Sequence, residues 1–177
     1  IPSKALLHIV KIVNETQHLS NVGVTFGDPE FDIPKIRSHK NKIISQLNGG
    51  ISQLAKARNV NVLCGKASFI NNSEVVVETG EKKEQIQFKN CIIASGSTAA
   101  MLPNLPLDHP LVLTSKTALD LDDVPGSLLI IGGGIIGLEL GQVYSTLGTD
   151  VSVVEYMPSL IPGACLLYTS PSPRDSR

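Results

Sequence analysis

The spacing of apolar residues along the chain changes character several times, and each change marks an element. Residues 2–19 carry Leu6, Ile9, Val10 and Val13 at intervals of three and four, which predicts an amphipathic helix with Pro2 tolerated in its first turn. Asn21 and Gly23 break that pattern. Asp32 then stands as an N-cap with Pro34 just inside, opening a second long helix towards Arg58. Its expected buried stripe is Ile36, Ile43, Leu47, Ile51 and Leu54. Gly49 and Gly50 in its middle cost roughly 1 kcal/mol each in helix propensity, so a kink or a close helix contact is expected there.

After Arg58 the period shortens to two. Val60–Leu63, Ala67–Ile70, Glu74–Glu78 and Gln85–Phe88 are short alternating runs, with turns at Asn71-Asn72 and Thr79-Gly80. They predict a small antiparallel meander. Cys91–Ala94 reads as a further strand ending in Ser95-Gly96-Ser97, where small residues let backbone approach a turn or a ligand. Three prolines between Met101 and Pro110 predict an extended linker, and a second domain begins near Leu111.

The most informative stretch is Ser127–Glu155. Leu128, Leu129, Ile130 and Ile131 predict a buried parallel strand. Gly132, Gly134 and Gly137 follow in the spacing G-x-G-x-x-G, and Ile136, Leu140, Val143 and Leu147 mark a helix that Gly148 terminates. Val151, Val153 and Val154 form a second strand with Glu155 at its carboxyl end. The glycines have separate tasks: Gly132 the tight turn, Gly134 close approach to a pyrophosphate, Gly137 helix–strand packing. The diphosphate then sits on free N–H groups at the positive end of the helix. A carboxylate such as Glu155 accepts hydrogen bonds from ribose hydroxyls and repels a 2′-phosphate, so NAD is expected over NADP. Without the strand, helix and acid in order, such a glycine spacing would be weak evidence; here all are in order.

Composition narrows the alternatives. Fifteen basic against sixteen acidic residues give a net charge of −1, which offers no basic footprint for nucleic acid. No apolar run approaches the roughly eighteen residues of a membrane span, and no charged leader opens the chain, so a reducing, cytoplasmic setting is expected. Cys64, Cys91 and Cys165 are isolated singles, and His8, His18, His39 and His109 share no ligand spacing, so neither disulfide framework nor metal site is indicated. Residues 165–177, CLLYTSPSPRDSR, continue no pattern and read as a non-native or disordered tail, similar to translated adapter sequence.

The segments IPSKALLH at 1–8, IIASGS at 92–97 and IIGGGIIGLELG followed by VVE, with DIPKIRSHKNKIISQLNGGISQLAKARNVNVLCGKASF between the first two, together resemble the bacterial dihydrolipoamide dehydrogenases of the pyridine nucleotide-disulfide oxidoreductase family. The resemblance runs from residue 1 to about 164. It implies an α/β architecture: a partial FAD-binding domain over 1–110, of helices and an antiparallel β-meander, then the first βαβ of a Rossmann-type NAD-binding domain over 111–164. It implies a flavoprotein that oxidises dihydrolipoyl groups of 2-oxo acid dehydrogenase complexes or the glycine cleavage system, with FAD and NAD as cofactors, and a homodimer when complete. Lys4 matches the lysine beside the flavin, and Glu139 a glutamate near the nicotinamide. Ala67, where the family often has Gly, falls where backbone meets the FAD adenine. Ser95, Gly96 and Ser97 match a Thr-Gly-Ser turn against FAD, with Thr98-Ala99 where the family commonly has Arg-Pro. Gly132, Gly133, Gly134, Ile135, Ile136, Gly137 and Glu155 match the NAD site. Lys4 and Glu139 are expected to converge as a supporting pair at the flavin's reactive edge, within roughly 4 Å of each other.

The family's redox cysteine pair, the FAD fingerprint and the catalytic His with its paired Glu have no counterpart in these residues. An internal fragment, inactive alone, is therefore expected, with the cysteine pair just before Ile1. Two other readings compete: a soluble pyridine nucleotide transhydrogenase of the same fold, and a non-catalytic NAD-binding module. Two cysteines separated by four residues upstream of Ile1 would mark the dehydrogenase.

Overall fold

The computed structural model describes residues 1–161 apart from Met101, Asn104 and Leu107, so the tail expected over 165–177 lies outside the described residues. Two compact units are formed: Ile1–Ile44 with the chain from Ala99 onward, and Ser45–Thr98.

The first unit is built on helices. Helix α1, Pro2–His18, takes Pro2 in its first turn as expected and buries Ala5, Leu6 and Val10. A 3₁₀ turn, Leu19–Val22, ends at Gly23 with φ of 90°, a left-handed value that favours glycine. Helix α2, Ile33–Ala57, starts where the Asp32 carboxylate accepts from the Lys35 N–H at 3.0 Å. The short helix α3, Ser115–Asp120, went unpredicted. Thr114 and Thr117 cap it reciprocally, side chain to backbone in both directions, and Leu121 leaves it in a left-handed conformation.

Strand β4, Ser127–Ile131, helix α4, Ile135–Thr146, and strand β5, Asp150–Val154, form the βαβ unit. The strands pair in parallel, from Ser127 opposite Asp150 to Ile131 opposite Val154. Gly148, with φ of 105°, closes the helix as predicted. One core joins these pieces: Leu6 and Val10 of α1, Ala118 and Leu121 at α3, and Leu140, Val143, Tyr144 and Leu147 at α4.

Two expectations within this unit are corrected. The β4 strand is not fully buried: Leu129 and Ile131 are exposed while Leu128 and Ile130 are partly covered, because α4 covers a single face. Ile136 is also exposed, and the helix buries Tyr144 instead.

The second unit contains the later part of α2 and the meander. Strands β1, Lys66–Asn71, β2, Glu74–Thr79, and β3, Lys82–Gln87, pair antiparallel in sequence order. Phe69 and Phe88 meet edge to face at 6.0 Å. Val60–Leu63 and Cys91–Ala94, expected as strands, carry no strand structure. A strand exists only when a neighbour takes up its backbone N–H and C=O groups, and neither run has such a neighbour among the described residues; Ile92 is left 92% exposed. The α2 stripe is likewise incomplete. Ile33 and Ile36 reach the core of the first unit, but Leu47, Ile51 and Leu54 are exposed. No close contact accompanies Gly49 and Gly50: a methyl group added at either would have nothing within 4 Å, and the helix continues through them.

Candidate dinucleotide site

The site grows from the end of β4. Ladder hydrogen bonding continues one residue past the strand, with the Gly132 N–H donating to the Val154 carbonyl at 2.8 Å. Gly132 then turns at φ of 110°, a conformation that β-carbon-bearing residues avoid. Gly134 is the N-cap of α4 and offers no side-chain cap, so the first-turn N–H groups of Ile135, Ile136 and Gly137 face the turn uncapped by a side chain. A methyl group added to Gly134 would have nothing within 4 Å. That open cradle, at the positive end of a twelve-residue helix, suits the diphosphate of a dinucleotide.

Gly137 is required for a different reason. A Cβ there would collide with the Gly132 carbonyl oxygen and lie 3.0 Å from Ile130 Cγ2. Gly141 repeats the device one turn later, where a Cβ would come within 2.9 Å of Ile130 Cδ1. Sequence reasoning missed Gly141, although its four-residue spacing from Gly137 places both on the helix face that meets β4. Gly137→Ala is expected to lower the stability of this unit by about 1–3 kcal/mol, because rigid backbone must move. Gly134→Ala should stay within about 0.5 kcal/mol of the parent. Urea unfolding followed by circular dichroism separates the two, and equal losses would contradict this division of labour.

Glu155 closes the site from the end of β5. Its Oε2 accepts from the Gly133 N–H at 2.7 Å, and its Oε1 from the Met157 N–H at 2.8 Å. The bonds from the Met157 and Gly133 amides hold this carboxyl below the usual glutamate range. It is therefore a charged acceptor with fixed aim, beside the turn that would carry the phosphates.

Lys4 and Glu139 converge. The Lys4 Nζ donates to Glu139 Oε1 at 2.6 Å, joining α1 to α4 across 135 residues of sequence. The pair is not buried: the lysine side chain is 73% exposed and the glutamate 27%. Ala67, Ser95, Gly96 and Ser97 belong to the second unit. Ala67 stands opposite Val77 in the meander, and Gly96 has φ of 76° in an irregular, exposed stretch.

Two polar side chains that sequence reasoning passed over hold the end of α3. Lys40, only 3% exposed, donates to the carbonyls of Leu119 at 2.6 Å and Asp120 at 3.2 Å. The Tyr144 hydroxyl donates to the Ala118 carbonyl at 2.9 Å, and burial together with Asp122, Asp123 and Asp120 raises its pKa. Three successive carbonyls at the end of α3 are thus satisfied by α2 and α4.

The glycine turn, the helix it opens and the acid at the next strand end form a βαβ unit whose geometry suits a dinucleotide, and residues 1–165 match the family model for pyridine nucleotide-disulphide oxidoreductases. The chain belongs to this family. It is 46% identical over 164 residues to the dihydrolipoyl dehydrogenase of Vibrio cholerae, covering 93% of this chain and 34% of that protein. The dihydrolipoyl dehydrogenase of Haemophilus influenzae is 42% identical over 165 residues, with the same two shares. The chain therefore spans about a third of the length of the curated relatives it matches. Among solved structures, the HOCl-induced flavoprotein disulfide reductase RclA from Escherichia coli, as its Cu(II) complex, superposes with a TM-score of 0.73 at 29% identity, over 92% of this chain and 33% of that one. LpdA from Mycobacterium tuberculosis shares the fold, with a TM-score of 0.79 at 21% identity over 92% of this chain and 36% of that one. No helix among the described residues is long and apolar enough to cross a membrane.

Proposed function

We propose that the chain is part of a cytoplasmic, dimeric dihydrolipoyl dehydrogenase that reoxidises dihydrolipoyl groups and delivers the electrons to NAD. Residues 1–110 serve the FAD side and residues 111–164 the NAD side. The 46% identity to a dihydrolipoyl dehydrogenase supports the activity. The observation that carries the nucleotide choice is the aimed, ionised Glu155 carboxylate beside the glycine turn.

FAD and NAD, when bound, supply the hydride chemistry. The chain's own residues bind and orient them. The first-turn amides of α4 would receive the NAD diphosphate, Gly134 allows its close approach, and Glu155 accepts from the adenosine ribose hydroxyls. Ser95, Gly96 and Ser97 would meet FAD through backbone and hydroxyl contacts, and Ala67 through its backbone. Lys4 holds a positive charge at the flavin's reactive edge, where it stabilises developing negative charge, and Glu139 fixes the position of its ammonium.

In the complete protein, Glu155→Arg is expected to lower kcat/KM for NAD and raise it for NADP, shifting their ratio by about a hundredfold or more. An unchanged ratio would remove the ribose role from Glu155. Loss of activity with dihydrolipoamide as substrate, when the parent protein is supplied with FAD and NAD, would remove the dehydrogenase assignment itself.

A further inference from the structure

Cys64 and Gly65 join the apolar run Val60–Leu63 to strand β1, and both meet the far end of β2. The Thr79 hydroxyl donates to the Cys64 carbonyl at 2.6 Å. A Cβ on Gly65 would stand 2.5 Å from the Glu78 carbonyl oxygen, 2.7 Å from Thr79 Oγ1 and 2.8 Å from Val77 Cγ1, so only hydrogen fits there. Burial does little to hold this junction. Cys64, Val62 and Leu63 are exposed, and they border an open hollow of about 690 Å³ shared with Val77 and Thr79. Two residues after the junction comes Ala67, opposite Val77. Strand β1 is an outer strand of its sheet, so on its free side alternate residues keep backbone N–H and C=O groups without a ladder partner. Adenine carries a ring-nitrogen acceptor beside an amino donor, which such a pair of backbone groups can match.

We infer that Thr79 is a positioning residue for the adenine end of FAD: its hydroxyl fixes the Cys64-Gly65 junction and thereby sets the Ala67 backbone at the free edge of β1. The inference rests on the FAD reading above, in which Ala67 meets the cofactor through its backbone. A backbone contact depends on where the strand is held and not on which side chain it carries. Gly65 is the weak point of that strand, because glycine has the widest choice of backbone conformations and loses the most freedom when ordered. The wall of Glu78 and Val77 restricts it on one side, and the Thr79 hydroxyl ties its neighbour to the same strand end. Ordering is thus done before the cofactor arrives. Without the hydroxyl a smaller fraction of molecules presents the β1 edge correctly, and the apparent affinity for FAD falls by that fraction.

The test strips FAD from the complete protein and measures its rebinding by quenching of flavin fluorescence, in the parent, Thr79→Val and Thr79→Ser. Valine keeps the shape and the β-branch but removes the donor, whereas serine keeps the donor. Thr79→Val should bind FAD about three- to tenfold more weakly, the scale of one net hydrogen bond, and Thr79→Ser should match the parent. At saturating FAD, kcat and the KM for NAD should be those of the parent in both variants. Unchanged FAD affinity in Thr79→Val overturns the inference, as does an equal loss in Thr79→Ser. Thr79→Ala, which also lacks the donor, carries the same expectation if the valine variant does not fold. A second readout needs no cofactor. Amide hydrogen exchange over residues 65–68 of the FAD-free protein should be about three- to tenfold faster in Thr79→Val than in the parent, and unaltered in Thr79→Ser. Equal exchange in all three overturns the clamp. A parent that does not take up FAD defeats the FAD reading, while the exchange rates still judge the role of Thr79 at the junction.

Discussion

Lys40→Glu is expected to abolish cooperative folding of the unit built on α1, α3 and α4. Lys40 lies 3% exposed with its ammonium on the Leu119 and Asp120 carbonyls, and the neighbouring α2 residue Arg37 pairs with Asp122 at 2.9 Å. A carboxylate at position 40 would face those carbonyl oxygens with no donor among them, in a neighbourhood already carrying Asp120 and Asp122. An unpaired buried charge costs several kcal/mol, comparable with the whole stability of a domain, about 5–15 kcal/mol. Lys40→Met separates charge from shape. It keeps the apolar stem and leaves two carbonyls unpaired, a loss of about 2–4 kcal/mol, partly offset because no ammonium is then desolvated. Urea unfolding followed by circular dichroism should show no transition for Lys40→Glu and an earlier midpoint for Lys40→Met. A glutamate variant that unfolds like the parent would show that the ammonium does not hold the end of α3.

Lys40 also illustrates what the sequence leaves unread. On a helical wheel it is one more lysine among polar residues, and nothing local says that its amine reaches carbonyls 79 and 80 residues away. Tyr144 is similar, since its hydroxyl partner is Ala118 in another element. By contrast, Ser127–Glu155 is legible because strand, turn, helix and acid are encoded locally, each by neighbours within a few positions. The Asp32 cap and the three meander strands are read for the same reason. Helix α3 escaped because its capping partner is Thr117, where the usual pattern has Glu or Gln. Val60–Leu63 and Cys91–Ala94 failed in the opposite direction. Their apolar residues signal strands, but pairing is a property of two segments, and no second one meets them among the described residues. Of the candidate site, the glycines and Glu155 come from local spacing alone, and the pairing of Lys4 with Glu139 came only from family resemblance. Nothing in the pattern of either helix predicts a contact between residues 135 positions apart.

That pair carries the last expected result, which sets function against stability. An ion pair with one partner 73% exposed is screened by solvent and contributes at most about 1 kcal/mol to folding. Lys4→Met in the complete, FAD-loaded protein should therefore unfold within about 1 kcal/mol of the parent. In the proposed role the same ammonium faces charge that develops during electron transfer, and removing one such oriented donor from a reacting centre costs about a hundredfold in rate. Flavin reduction by dihydrolipoamide, followed by stopped-flow absorbance, should slow by about that factor in Lys4→Met. Glu139→Gln keeps a hydrogen-bond acceptor within reach of the amine but removes the charge that holds it. It should slow the same step less, by about tenfold. The double variant should be no slower than Lys4→Met alone, since the glutamate acts through the lysine. Additive losses in the double variant would mean that the two residues act separately, and an unaltered rate in Lys4→Met would place the pair outside the electron path.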